Sequence, residues 1–140
     1  MTYELRPALW EDNSFLEVLY ADVHNAEFAS LGLPEDALAQ FVALRFKAER
    51  MSLIAKFPDA DHNILWVGEH RIGHMLLNET PTEIQLVDLA LLTPFRGGGV
   101  GTSILQQLQS YAAERGLPLR LSCRPENAAT KLFDRFGFCV

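Results

Sequence analysis

The sequence predicts an α/β (α+β) fold, one domain built on a mixed, mostly antiparallel sheet with helices on both faces and its last strand truncated. Three observations predict it. Strand-length apolar runs alternate with one-face helical patterns along the chain. The runs Ile64–Val67, Ile72–Leu77 and Ile84–Leu92 follow one another with only turn-length gaps, so the middle strands should be antiparallel hairpins. The stretch from Ile84 to Cys123 reads strand, helix, strand, which requires one parallel pair.

The elements are justified in order. Tyr3 to Arg6 is a short strand stopped by Pro7. Phe15, Leu16, Leu19 and Tyr20 share one helical face, giving a helix from about Glu11 to Asp22. Pro34 suits a first helical residue, and Glu35 and Asp36 complement the positive helix end. Leu38, Phe41, Val42 and Phe46 carry that second helix to about Ala55, with a loop between the two helices. Pro58 to Asn63 is a polar turn before the Ile64 strand. Ile84 to Leu92, broken only by Gln85 and Asp88, reads as a central strand covered on both faces. Ile104, Leu105, Leu108, Tyr111 and Ala112 mark an amphipathic helix, ended by Gly116 and Pro118. Leu119 to Cys123 is a strand. Asn127 caps a last helix burying Leu132, Phe133 and Phe136, and Phe138 to Val140 begins a strand that stops short.

Composition narrows the partners. The 140 residues make one domain spanning 1–140, with 49% hydrophobic and 21% charged residues, near globular averages. A net charge of −6 opposes phosphate backbones, so nucleic acid is not an expected partner. The start Met1-Thr2-Tyr3-Glu4 lacks a basic and apolar leader, and no apolar run approaches membrane-spanning length. A cytoplasmic protein with reduced thiols at Cys123 and Cys139 is expected, without membrane association. His24, His62, His70 and His74 have no metal-ligand spacing, so no metal is expected.

The most informative segment is Arg96-Gly97-Gly98-Gly99-Val100-Gly101, between the long apolar strand and a helix. Its glycines let backbone approach a ligand closely. The unpaired amides at the helix start form an anion site, with Arg96 beside it. The natural ligand is a phosphate or pyrophosphate. A nucleoside-triphosphate loop would need Gly-Lys-Ser/Thr, but Thr102-Ser103 follows Gly101 without a lysine. The dinucleotide spacing also fails: Gly97 and Gly99 lead to Thr102, and Gly99 and Gly101 lead to Ile104.

R-x-x-G-x-G at a strand end, followed one helix and one strand later by Asn127-Ala-Ala-Thr-Lys-Leu-Phe-Asp-Arg-Phe-Gly-Phe138, resembles the GNAT family of N-acetyltransferases over nearly the whole chain. The resemblance implies the acyl-CoA N-acyltransferase fold and acetyl-CoA as cosubstrate. It implies that Arg96, Gly97, Gly98, Gly99, Val100, Gly101 and Thr102 hold the pyrophosphate, that backbone at Leu89 and Leu91 pairs with the pantetheine amides, and that Asn127 joins the cofactor site. The implied activity is acetyl transfer to a primary amine of a small molecule or peptide. The alternative is a module that binds acetyl-CoA as a sensor without efficient transfer.

Transfer needs a neutral amine, and a positioned base contributes about 10²–10⁴-fold. Asp88, a carboxylate inside an apolar strand, is the candidate base or amine anchor; its other reading is a bulge residue bonded to backbone. Gln85 stands where some family members carry a glutamate and cannot act as a base. Phe133 stands where the family places an acid tyrosine, so that role is vacant, and Cys123 is more simply a small buried residue. Glu27, in the loop between the first two helices, and His74, in the hairpin, lie where the family lines its acceptor pocket, and both also have ordinary structural readings. The unfinished last strand leaves an open edge, which fits a homodimer and equally a missing tail.

Overall fold

The computed structural model describes residues 2–121. The expectations placed on Cys123, Asn127, Phe133, the last helix and the final strand lie outside these residues.

Five strands form one sheet in chain order: β1 (Glu4–Pro7), β2 (Asp61–Val67), β3 (His70–Glu79), β4 (Ile84–Leu91) and β5 (Leu119–Leu121). The first four are mutually antiparallel, and β5 runs parallel to β4. The turns between β2, β3 and β4 are too short for anything but hairpins, whereas the β4–β5 connection carries a whole helix. The mixed sheet read from the sequence is therefore the one observed.

Helices cover both faces. α1 (Asn13–Val23), α2 (Asn25–Ala29) and α3 (Glu35–Lys56) pack on one, where Leu16, Tyr20, Phe28, Val42 and Phe46 meet Ile64. α4 (Val100–Arg115) packs on the other, where Val100, Ile104, Leu105 and Leu108 meet Leu65, Met75, Leu86 and Leu89. Ile64 and Leu65 are neighbours in sequence and both fully buried, one in each layer, as strand alternation demands.

Three local expectations need correction. The helix expected from Glu11 starts as a 3-10 turn, Trp10–Asp12, and becomes α-helical only at Asn13. There the Leu9 amide donates to Asp12 Oδ2 at 2.8 Å, and Asp12 also accepts from Arg71. The expected loop between the first two helices contains α2, because Phe28 has an aromatic niche against Tyr20 and Phe41. Strand β2 begins at Asp61, inside the expected polar turn, because pairing with Leu77 and Leu76 extends the ladder across Asp61 and His62.

Two irregularities shape the sheet. One falls between Leu65 and Trp66, where the β3 partners skip Ile72. The other falls where Leu76 pairs with Asp88 but Leu77 pairs with Leu86, leaving Val87 as an extra residue in β4. That inserted residue turns Asp88 to the opposite face from Leu86. Leu86 lies in the α4 layer, and Asp88 faces α1 and α3.

Candidate active site

The glycine turn sits at the end of β4. A 3-10 turn, Thr93–Phe95, leads into Arg96, and Gly97 and Gly99 take φ of 79° and 88°. That left-handed backbone favours glycine, and a Cβ at either position would meet nothing within 4 Å among the described residues. There the turn leaves room for a group to lie against the backbone.

Gly99 caps α4, and the first bond closing the helix runs from the Ser103 amide to the Gly99 carbonyl at 3.0 Å. The amides of Val100, Gly101 and Thr102 precede that bond and are the helix's orphan donors. The helix dipole adds partial positive charge at the same point.

Strand β4 supplies a second surface. β5 pairs with it only over Ile84–Leu86, so beyond Leu86 its far edge has no strand beside it among the described residues. The Leu92 amide donates to the Ile72 carbonyl in β3 at 2.8 Å. Alternation then turns the peptide groups of Leu91 and Leu89 toward the unpaired edge. The Leu91 carbonyl there accepts from Arg96 Nε at 2.9 Å.

Arg96, the cation beside the turn, is itself paired. Its guanidinium spans Leu91 and Asp22, with an Nη2–Oδ2 distance of 3.3 Å to the Asp22 carboxylate. Asp22 also accepts from the Thr93 amide at 2.8 Å. A half-buried carboxylate within reach draws the arginine inward, so Arg96 braces the turn and much of its charge is already matched.

On the α1/α3 face lies a cavity of ≈ 190 Å³. Its walls are mainly apolar, from Leu16, Leu19 and Tyr20 of α1 and from Phe46 and Leu53 of α3. Its polar floor is a diagonal across three strands. His62 in β2 pairs opposite Leu76, His74 opposite Ala90, and Asp88 opposite Leu76, which leaves the three side chains as diagonal neighbours on one face. His62 Nε2 lies 2.9 Å from His74 Nδ1, and His74 Nε2 lies 3.1 Å from Asp88 Oδ2. Arg50 of α3 closes the row, its Nη1 lying 3.0 Å from His62 Nδ1. Burial first, then the nearby His74 and Arg50, push His62 down to about 3, so it is neutral at pH 7.

Of the residues singled out in the sequence, Asp88 and His74 are brought together on this floor. The backbone of Leu89 and Leu91 lies along the adjoining edge, and the residues from Arg96 to Thr102 form the turn at its end. Glu27 lies apart on α2, 43% exposed at its side chain, 3.7 Å from Arg45 and 3.3 Å from His24 Nδ1. His24 lines the cavity, and its buried Nδ1 makes no well-aligned hydrogen bond among the described residues. His62, Arg50, His24 and Asp22 carried no functional reading in the sequence. A hairpin register placing His62 diagonally from His74 would have found the first, but the residue was assigned to a turn.

No group of three or more His, Cys, Asp or Glu among the described residues could hold a metal ion. No described helix is long and apolar enough to cross a membrane.

The fold resembles solved acetyltransferase structures. The PaiA N-acetyltransferase of Thermoplasma acidophilum, in complex with coenzyme A, superposes with a TM-score of 0.65 at 16% identity, over 98% of this chain and 89% of that one. A transcriptional regulator of Bacillus halodurans C-125 gives 0.62 at 18% identity, over 98% and 93%. A GCN5-related N-acetyltransferase of Rhodopseudomonas palustris gives 0.62 at 19% identity, over 97% and 81%. A search of curated protein sequences found no match. The family model for acetyltransferase (GNAT) domains matches residues 31–138, a span that holds the glycine turn, β4 and α4. With most of the sequence under that model and the acyltransferase fold around it, the chain belongs to the acetyltransferase (GNAT) family of transferase enzymes.

Proposed function

We propose that this enzyme transfers an acetyl group from acetyl-CoA to the primary amine of a small molecule or peptide. The observation that carries the reading is the open glycine turn, which joins the unpaired edge of β4 to the N-terminus of α4. The residues fit the cosubstrate. The orphan amides from Val100 to Thr102, with the flexible backbone of Gly97, Gly98 and Gly99, suit a pyrophosphate. The edge peptides of Leu89 and Leu91 suit an amide-bearing arm. When bound, acetyl-CoA supplies an activated thioester carbonyl.

The protein's own groups do the rest. The cavity beside Asp88 excludes water from an acceptor and presents one carboxylate to its nitrogen. Asp88 takes up a proton from the ammonium form, and His74 donates to the same carboxylate and orients it. Apolar walls hold the body of the acceptor. The acceptor contacts are assigned to Asp88 and His74, with Glu27 as a neighbouring charge behind His24.

Thermal denaturation with acetyl-CoA, coenzyme A and ATP tests the binding half. Stabilisation by both coenzyme A forms, lost in Gly99→Glu, is expected, and stabilisation by ATP alone would overturn the reading. Thiol release against a panel of polyamines, arylalkylamines and amino acids tests transfer. Binding of acetyl-CoA with no release from any amine would leave a coenzyme A-binding module.

A further inference from the structure

We propose that Arg50 fixes the proton positions of His62 and His74, so that Asp88, and neither imidazole, is the proton acceptor of the cavity. The inference rests on the reading that the cavity holds the acceptor amine.

The direction of the hydrogen bonds follows from one obligate donor. A guanidinium has N–H groups and no acceptor. Arg50 Nη1, 3.0 Å from His62 Nδ1, must therefore donate to a lone pair on that nitrogen. His62 then carries its proton on Nε2, which points at His74 Nδ1 across 2.9 Å. His74 Nδ1 must accept, so the His74 proton sits on Nε2, facing Asp88 Oδ2 at 3.1 Å. Every bond in the row runs toward Asp88.

The row has no room for another proton. A proton on His62 Nδ1 would oppose the Arg50 donor. A proton on His74 Nδ1 would oppose the Nε2–H of His62, and reversing His62 would again set N–H against Arg50. Burial, His74 and Arg50 depress His62 more strongly than the carboxylates of Asp88 and Asp12 raise it. Among the described residues, the other ionisable groups lining the cavity are Tyr20 of α1, His24 between α1 and α2, and Glu49 of α3. Of these, Tyr20 is pushed up by burial and stays protonated, an uncharged neighbour.

The consequence for catalysis is specific. With the other tautomers, an imidazole lone pair would face Asp88 and would hold it as a protonated acid. The Arg50-set direction presents N–H to Asp88 and stabilises the carboxylate. An N–H bond of the bound ammonium breaks, an O–H bond forms on Asp88, and the electron pair stays on nitrogen as the nucleophile. His62 and Arg50 are positioning residues, since the row carries their effect to Asp88 through His74.

The test is imidazole 15N NMR of the whole chain without ligand, assigned with single histidine variants. The expected result is that His62 is a neutral Nε2–H tautomer from about pH 5 to 8, where an ordinary histidine titrates near 6.5, and that the proton of neutral His74 sits on Nε2. Arg50→Met should raise the His62 titration measurably toward that value, and Arg50→Lys, which keeps a donor, should restore it. With any amine the enzyme accepts, the acid limb of kcat/KM should show one carboxylate-type ionisation, joined by an imidazole-type one in Arg50→Met. An Nδ1–H tautomer on either neutral ring, or an unaltered His62 in Arg50→Met, would overturn the proposal. The wild-type spectrum decides even if Arg50→Met fails to fold. Because it needs no substrate, it stays decisive if the acetyltransferase reading fails.

Discussion

The Asp22 carboxylate in the last full turn of α1 lies 3.3 Å from the Arg96 guanidinium, and the same arginine donates to the Leu91 carbonyl. One side chain thus ties α1, β4 and the glycine turn together. Both partners are 29% exposed at their side chains, so the pair is screened only in part. Arg96→Met should cost about 1–2 kcal/mol without ligand, a drop of roughly 3–6 °C in melting temperature. Asp22→Ala should cost a similar amount, since it also releases the Thr93 amide. A double-mutant cycle should give a coupling of about 0.5 kcal/mol or more. Additive losses would show that Arg96 does not brace the turn.

Gly73 is required by space. A Cβ there would lie 2.2 Å from the Ala90 carbonyl and 2.8 Å from Leu91 Cδ2, so β3 and β4 would have to part. Gly73→Ala should destabilise by roughly 3 kcal/mol or more, or prevent folding, because the obstacle is backbone. Chemical denaturation would measure it. A variant as stable as wild type would mean that β4 does not approach β3 as described.

Stability should fall on acidification below neutral pH. His62 is held at about 3, against 6.5 when unfolded. Between those values the unfolded chain binds a proton that the folded chain refuses, so stability rises with pH across that window. The full effect is on the order of 4 kcal/mol at pH 7, and it is lost progressively from about pH 6.5 to 3. Asp12 adds to this at lower pH. Burial pushes it up, but the Leu9 amide and Arg71 outweigh burial and hold it below the usual carboxylate range. Its contribution is present above the unfolded value and lost as pH falls through the folded one. Urea midpoints from pH 3 to 8 should slope upward, and His62→Asn should flatten the slope between about pH 4 and 6.5. An unchanged slope would mean that His62 is not held neutral.

Asp88→Asn should lower kcat/KM for any accepted amine by about 10²–10⁴-fold, the range for loss of a positioned base. Coenzyme A stabilisation should persist, because the turn and the β4 edge use backbone. Steady-state kinetics with thermal denaturation would separate the two. Full activity in Asp88→Asn would remove it from the chemistry.

The glycine turn was legible because its signal is local. Gly97 and Gly99 are required by backbone angles, and the orphan amides of α4 follow from chain order alone. The acceptor side was only half legible. Asp88 and His74 stood out, but His62 was read as part of a turn, since nothing local told it that Leu76 would pair opposite. Arg50 and His24 looked like ordinary residues of a polar helix face and a loop. The pairing of Arg96 was not legible because its partner, Asp22, is 74 positions away.

Periodicity and turn chemistry in the sequence determined the antiparallel hairpins of β2, β3 and β4, the parallel β4–β5 pair and the glycine turn, because each depends on neighbours within one or two elements. Tertiary structure alone decided which face Asp88 takes. By simple alternation it would share a face with Leu86, but the extra residue at Val87 turns it to the α1/α3 side. A bulge is a property of two paired strands. The row from Arg50 to Asp88 exists for the same reason: four side chains from four elements meet only when a helix settles on a sheet whose register is already set.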